Sequence, residues 1–239
     1  TVLVLWIIAI VAVAAISVGV TCGLGKCSSS PPADDPIESF ISNITLSDQT
    51  PQYPAVGTPT PEEEALAWLI EEDPLDLDVV LNATRIQQRY ALLTLWFQYE
   101  SGQGGLLGWL TQPNECTWEG ISCLSNVVSS LDLVEDNLQG RIPDDLGLLT
   151  ALTKLDLRGN DLSGSIPASL SLLTSLTTLI LSENALKGTI PPSLSVLTVL
   201  TDLDLGDNDL SGSIPASLSL LTSLTALILS ENALQGTIP

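Results

Sequence analysis

A 24-residue repeat dominates the C-terminal half of this chain of 239 residues. Leucine recurs at one position of the repeat, glycine at a second and an Ile-Pro pair at a third. The registers are Leu131, Leu155, Leu179, Leu203 and Leu227; Gly140, Gly164, Gly188, Gly212 and Gly236; and Ile142, Ile166, Ile190, Ile214 and Ile238. Self-similarity at this period is typical of a solenoid, in which each turn buries its apolar face only against its neighbours.

Each position of the repeat has a physical task, illustrated by LDLRGNDLSGSIP at 155–167. Leu155 and Leu157 alternate as a short strand whose leucines point inward. Asn160 has a side-chain amide that can bond backbone groups as the chain leaves the strand, and Gly164 permits a left-handed backbone. Each buried leucine contributes about 1.5–3 kcal/mol, so a stack of turns offsets its ordering cost where one turn cannot. The turn is filled by Leu162, Ile166, Leu170, Leu173 and Leu176.

The pattern L-x-L-x-x-N-x-L-x-G-x-I-P resembles the plant-type leucine-rich repeats of receptor-like proteins, receptor kinase ectodomains and algal membrane-anchored relatives. The resemblance implies an α/β repeat solenoid, a right-handed superhelix over 127–239, which we expect to be truncated because Pro239 falls inside a repeat. In the first turn Asp136 replaces the asparagine of later turns, so we expect a weaker start to an asparagine ladder. Residues 160–191 and 208–239 differ only at Thr178/Ala226 and Lys187/Gln235, which indicates a recent duplication of two turns.

Residues 62–126 resemble the helical N-terminal cap of the same family. The resemblance rests on Leu92, Trp109-Leu110 and the segment CTWEGISC at 116–123. In the family the two cysteines are bridged, so it implies a disulfide between Cys116 and Cys123 and an oxidising compartment. A cap is needed because the first turn would otherwise expose its leucines.

Two helices are predicted in this capping segment. Thr60 before Pro61 and three glutamates is a favourable helix start, and Pro74 ends that helix. A second helix is expected around 83–100, where Ile86, Tyr90, Leu93 and Phe97 recur at helical spacing.

Residues 2–20 are 19 consecutive residues without a charge. As a helix they would extend about 28 Å, which matches a bilayer core, so we predict a single transmembrane helix. The alternative is a secretory signal. Lys26 is the nearest base downstream, and the acidic residues that follow favour an extracellular or lumenal array. Cys22 and Cys27 at the membrane edge remain open to acylation, pairing or no modification.

A flexible acidic stalk is expected at 21–61, because this stretch is rich in Ser, Thr and Pro and lacks apolar density. It contains the acceptor triplet at Asn43, and a second triplet begins at Asn82. Both fit N-glycosylation of an exported chain. Because residue 1 is Thr and the last repeat is interrupted, we expect a fragment at both ends.

Composition argues against several functions. The net charge of −21 disfavours nucleic acid and anionic membrane surfaces. The absence of histidine removes Ser-His and Cys-His nucleophile pairs and imidazole metal ligands. The acidic run from Asp202 to Asp209 lacks the residue order of a calcium loop. We therefore predict no catalysis, no cofactor and no metal site in this chain.

The outward strand positions, on the predicted concave face, are the candidate ligand-binding site. Exposed isoleucines beside charges suit a protein or peptide contact, and plain solvated strand residues are the alternative. The candidate residues are Asp132, Lys154, Asp156, Arg158, Thr178, Ile180, Ser182, Asp202, Asp204, Ile228 and Ser230.

Two threonine ladders run through the array, at 150, 174, 198 and 222 and at 153, 177, 201 and 225. Regular hydroxyl rows suit an ordered surface, although a structural role in the repeat is the simpler explanation. The sequence thus predicts a membrane-anchored extracellular protein that binds a protein or peptide ligand in recognition, signalling or adhesion. The alternative is a structural surface or cell-wall protein whose threonine ladders bind polysaccharide or ice.

Overall fold

The computed structural model describes residues 60–71, 83–100, 109–110 and 113–237, all within one compact unit, Phe40–Pro239. In these ranges no helix is both long and apolar enough to cross a bilayer. Several predictions lie outside the described residues. They are the membrane segment 2–20, the stalk 21–61 apart from its last two residues, Cys22 and Cys27, and the glycosylation sites Asn43 and Asn82.

Two α-helices precede the array, as the sequence predicts. Helix α1 spans Pro61–Glu71 and begins with a capping box. The backbone N–H of Glu63 donates to the Thr60 hydroxyl over 3.3 Å, and the Thr60 N–H donates to the Glu63 carboxylate over 3.0 Å. Helix α2 spans Ala83–Glu100 and buries Tyr90 and Leu93 completely or nearly so.

The array is built on two sheets of short, mainly parallel strands. The strands are β1 Ile121–Leu124, β2 Val127–Asp132, β3 Gln139–Arg141, β4 Lys154–Asp156, β5 Asp161–Ser165, β6 Thr178–Ile180, β7 Ala185–Gly188, β8 Asp202–Asp204, β9 Asp209–Ser213, β10 Ala226–Ile228 and β11 Ala233–Gln235. The first sheet has six strands in the order β1-β2-β4-β6-β8-β10, and only its β1–β2 pair is antiparallel. The second sheet has the order β11-β9-β7-β5-β3.

One short 3-10 helix closes each turn on the side away from the strands. The four are Asp144–Leu148, Ala168–Leu172, Pro192–Val196 and Ala216–Leu220. Leucines of strands and 3-10 helices meet in one continuous core that also contains apolar residues of both α-helices. This arrangement confirms the predicted solenoid of 24-residue turns. The Ile-Pro pairs that begin at 142, 166, 190 and 214 each lead into a 3-10 helix.

An asparagine ladder joins successive turns, as predicted. The side-chain oxygen of Asn184 accepts from the Leu162 N–H one turn back, and its amide nitrogen donates to the carbonyl of Leu157 over 3.0 Å. The same nitrogen also donates within its own turn to the carbonyls of Leu181 and Ser182. Asn160, Asn208 and Asn232 repeat this pattern.

The segment before the array packs directly on its first turn. Strand β1 pairs with β2, and the disulfide between Cys116 and Cys123 is present as the resemblance implies. The side-chain oxygen of Gln88 on α2 accepts from the Val128 N–H over 2.7 Å. Gly120 is required where this segment meets β2, because a Cβ there would lie 2.6 Å from the Asp132 carbonyl oxygen.

A buried ion network joins α2 to the disulfide segment. The Glu115 carboxylate accepts from Arg85 and from Arg89 over 2.9 Å, and the side chains of Glu115 and Arg89 are fully buried. The Arg89 guanidinium lies 5.4 Å from the ring centroids of Trp68 and Trp118. The buried charges of Arg89 and Glu115 are therefore paired with each other where water is excluded.

Candidate functional site

The predicted binding positions form continuous columns across the first sheet. Register places Lys154, Thr178 and Asp202 side by side. A second column runs through Asp132, Asp156, Ile180, Asp204 and Ile228. We call the outward-facing positions of β2, β4, β6, β8 and β10, with the residues just after them, the strand face.

Two residues that the sequence predicts to face outward have buried side chains, so the prediction is wrong for their exposure. Asp156 is 3% exposed and Ser182 is 5% exposed. One oxygen of Asp156 accepts from the Arg158 N–H, and the other lies 3.4 Å from the Lys154 ammonium. The Ser182 hydroxyl donates to Asp204 over 3.0 Å. Both side chains fold onto the sheet to satisfy neighbouring polar groups, and this arrangement buries them.

Charges on the N-terminal part of the strand face are largely compensated. Lys154 donates to the Asp132 carboxylate, and this hydrogen bond is the main cause that raises the pKa of Lys154. Arg158 forms no ion pair with any described residue and is half-buried. Its guanidinium group is therefore not paired with a carboxylate of the described residues.

The C-terminal part of the strand face presents apolar and acidic groups. Ile228 is 44% exposed, and Ile180 is half-buried in register with it across Asp204. Asp204 is held by the Gly206 N–H over 3.0 Å and by Ser182. Asp202 is half-buried and Ser230 is exposed. A fixed carboxylate between two isoleucines suits a ligand that carries both apolar and basic groups.

The two predicted threonine ladders differ in their bonding. The hydroxyls of Thr153, Thr177, Thr201 and Thr225 each donate to a backbone carbonyl one turn back, over 2.8–2.9 Å. This ladder is therefore structural. The threonines at 150, 174, 198 and 222 are exposed, and their hydroxyls form no hydrogen bond with any described residue.

An exposed apolar column was missed by the sequence reasoning. Leu172, Val196 and Leu220 are 55%, 51% and 58% exposed at the ends of consecutive 3-10 helices. The sequence did contain an indication of this column. Each of its residues directly precedes a leucine that is buried, and two adjacent apolar residues cannot both face the core of a narrow turn.

Among the described residues no group of three or more His, Cys, Asp or Glu side chains could hold a metal ion.

Comparisons with known proteins show which family and which solved structures this chain is similar to. Two models of the leucine-rich repeat match, one at residues 174–234 and one at 151–173. A chain of the BIR3–SERK2 complex from Arabidopsis thaliana is 48% identical over 53% of this chain and 69% of its own, with a TM-score of 0.51. The BIR2 ectodomain from Arabidopsis thaliana is 38% identical over 62% of this chain and 82% of its own, with a TM-score of 0.59.

A plant ice-binding protein is 35% identical over 64% of this chain, with a TM-score of 0.58. This chain spans about half of that protein, 49% of its length. Comparison with curated protein sequences gives no match. The repeat, the bridged cysteines and these similarities define the class, and the chain belongs to the plant-type leucine-rich-repeat proteins.

Proposed function

We propose that this protein binds a protein or peptide ligand on its strand face and that it does no catalysis itself. The observation that carries the proposal is the column in which Ile180 and Ile228 flank Asp204 in strict register. A rigid sheet presents these groups at fixed spacing, so ordering them on binding costs little free energy. Arg158 lies across the same face and supplies a positive contact.

The similarities support this function. The BIR3–SERK2 structure is of a complex, so a protein similar to this chain is found bound to another protein. The BIR2 structure is of an ectodomain, which agrees with an extracellular or lumenal array carrying a disulfide. On this proposal, residues 62–126 cap the array, and 21–61 connect 127–239 to a transmembrane helix at 2–20.

A display experiment tests the binding role. A random peptide library on phage would be selected against the full chain held in a nanodisc, and selected clones would then be rebound to variants. Ile180→Asp with Ile228→Asp should abolish rebinding, because two new charges would be desolvated under an apolar contact. Thr198→Asp, which lies on the other side of the turn, is the matched control. If the clones bind the double variant and the unaltered chain equally strongly, the strand face is not the binding site.

Glycan digestion tests the orientation. The full chain expressed in a eukaryotic secretory host should shift in mobility on treatment with an N-glycosidase, and Asn43→Gln with Asn82→Gln should remove the shift. An unaltered chain that shows no shift would contradict an exported array.

A second candidate function is binding to an ordered, uncharged surface such as ice or polysaccharide. It is favoured by the exposed threonine ladder at 150, 174, 198 and 222 and by the similarity to a plant ice-binding protein. Inhibition of ice recrystallisation and retention on insoluble cellulose, both measured with the full chain, test it.

A further inference from the structure

In three consecutive turns, one side of the array carries no charge, in a protein whose net charge is −21. The segments 168–177, 192–201 and 216–225 contain no Asp, Glu, Lys or Arg. Each includes a 3-10 helix and the five residues after it. We call their exposed side chains the neutral face. In these three turns the charges lie on the strands and on the loops that follow them. The first turn differs, because Asp144 and Asp145 lie in its 3-10 helix.

The neutral face repeats the same local backbone in every turn. The residue after each 3-10 helix has φ and ψ of −78° and 57° at Leu173, −78° and 59° at Leu197, and −75° and 64° at Leu221. These angles are those of an inverse γ-turn. The next N–H donates back to the carbonyl two residues earlier, as at Thr198, over 2.9 Å.

This turn explains which side chains are exposed. The central leucine points into the core and is buried, while the residues on either side of it point outward together. Val196 and Thr198 are such a pair, with Leu197 buried between them. Repeated through the array, the turn produces an apolar column beside a hydroxyl column. The pairs are Leu172 with Thr174, Val196 with Thr198, and Leu220 with Thr222.

The hydroxyls of this column are available to a ligand. Those of the neighbouring ladder at 153, 177, 201 and 225 are used between turns, whereas those at Thr174, Thr198 and Thr222 form no bond with any described residue. Val199, 44% exposed, widens the apolar part in the central turn. Contiguous exposed apolar groups of this kind mark interaction surfaces on soluble proteins.

We infer that the neutral face is an ice-binding surface, an inference that rests on the second candidate function and specifies its site and ligand. Adjacent parallel strands fix successive turns about 4.8 Å apart, close to the repeat along the a axis of hexagonal ice. Free hydroxyls repeated once in each turn can join an ordered water layer, and the apolar column beside them adds contact area without binding water strongly. The absence of charge matters because ions hold a hydration shell that is incompatible with an ice lattice.

The test compares two sets of lysine substitutions in the full chain held in a nanodisc. Thr174→Lys, Thr198→Lys and Thr222→Lys together put three charges on the neutral face. Thr178→Lys with Ala226→Lys puts two on the strand face, in a column where Lys154 already stands. Folding of each variant is checked by circular dichroism and thermal unfolding. Inhibition of ice recrystallisation is then measured by microscopy, with cellulose retention and light-scattering mass in parallel.

The unaltered chain and the strand-face variant should inhibit recrystallisation, and the neutral-face variant should lose the activity while remaining folded. Activity that survives the neutral-face lysines, or that is lost equally in the strand-face variant, would show that the neutral face is not the ice-binding site. The second candidate function would then stand without this site. A chain with no effect on ice would overturn the inference. If such a chain is retained on cellulose or self-associates through the neutral face, that face has a different occupant.

Discussion

The side-chain oxygen of Asn160 accepts a hydrogen bond of 2.9 Å from the backbone N–H of Leu138, which lies one turn earlier. Its amide nitrogen donates to carbonyls of both turns, including that of Leu133 over 2.8 Å. One side chain thus satisfies backbone groups that the change of chain direction would leave buried and unpaired. The ladder is therefore a principal polar link between turns, and the first two predictions concern it.

Asn208→Asp should destabilise the array by about 3 kcal/mol, the upper range for a buried group that loses its partners. Asn208 is 8% exposed, and its amide nitrogen donates to three carbonyls, at 2.9 Å to Leu181, 3.0 Å to Gly206 and 3.3 Å to Leu205. A carboxylate of the same shape would face those carbonyls with no proton to donate. The measurement is the urea midpoint at neutral pH. Asn137→Asp, on an exposed residue, is the control and should leave the midpoint in place.

Asp136→Asn should have the opposite effect and stabilise the first turn by about 1 kcal/mol. Asp136 holds the ladder position of the first turn and forms no side-chain hydrogen bond with any described residue. Burial raises its pKa, with further contributions from Glu119 and Asp132. An amide there can donate to the carbonyls two and three residues back, as Asn160 does. A higher urea midpoint with an unchanged slope is expected; no gain would mean that the first turn does not present those carbonyls.

Ionisation of the Asp145 carboxyl should lower the free energy of unfolding as the pH rises from about 4 to about 6. Burial raises the pKa of this carboxyl from 3.8 to about 6, with Glu62 and Asp144 adding repulsion. Since the folded state holds the proton more tightly than the unfolded state, protonation favours folding, and this contribution is lost above the folded pKa. Asp145→Asn should flatten this part of the pH profile and raise the melting temperature at pH 7. Asp161→Asn, on an exposed residue, should leave both unchanged.

Much of this architecture could be predicted because the repeat itself encodes it. Leucine spacing specified the strands, and the asparagine, glycine and Ile-Pro registers specified the turns. Helix α2 was predicted at 83–100 from apolar spacing alone, and the structure gives Ala83–Glu100. The Cys116–Cys123 bridge followed from the resemblance and is confirmed.

Features that depend on neighbouring turns could not be predicted in the same way. Asp156 and Ser182 have polar partners that become visible only when strand register is known. Leu172 is a leucine in a leucine-rich core motif, yet the inverse γ-turn directs it outward and its neighbour inward. A residue with left-handed backbone precedes each ladder asparagine. It is a glycine only before Asn160, at Gly159, whereas a charged residue such as Glu183, with φ 56°, holds this position in the later turns.

Glu115→Gln should unfold the N-terminal segment at a lower temperature than the array. The carboxylate of Glu115 is the ion-pair partner of two guanidinium groups, those of Arg85 and Arg89, and removing one partner of a buried ion pair costs about 3–5 kcal/mol. The loss should be local, because the network joins α2 to the disulfide segment and does not extend to later turns. Hydrogen exchange followed by mass spectrometry should therefore show faster exchange in α2 with little change beyond the second turn. Glu119→Gln, on an exposed residue of the same loop, is the matched control, and equal acceleration throughout the array would contradict a local role for Glu115.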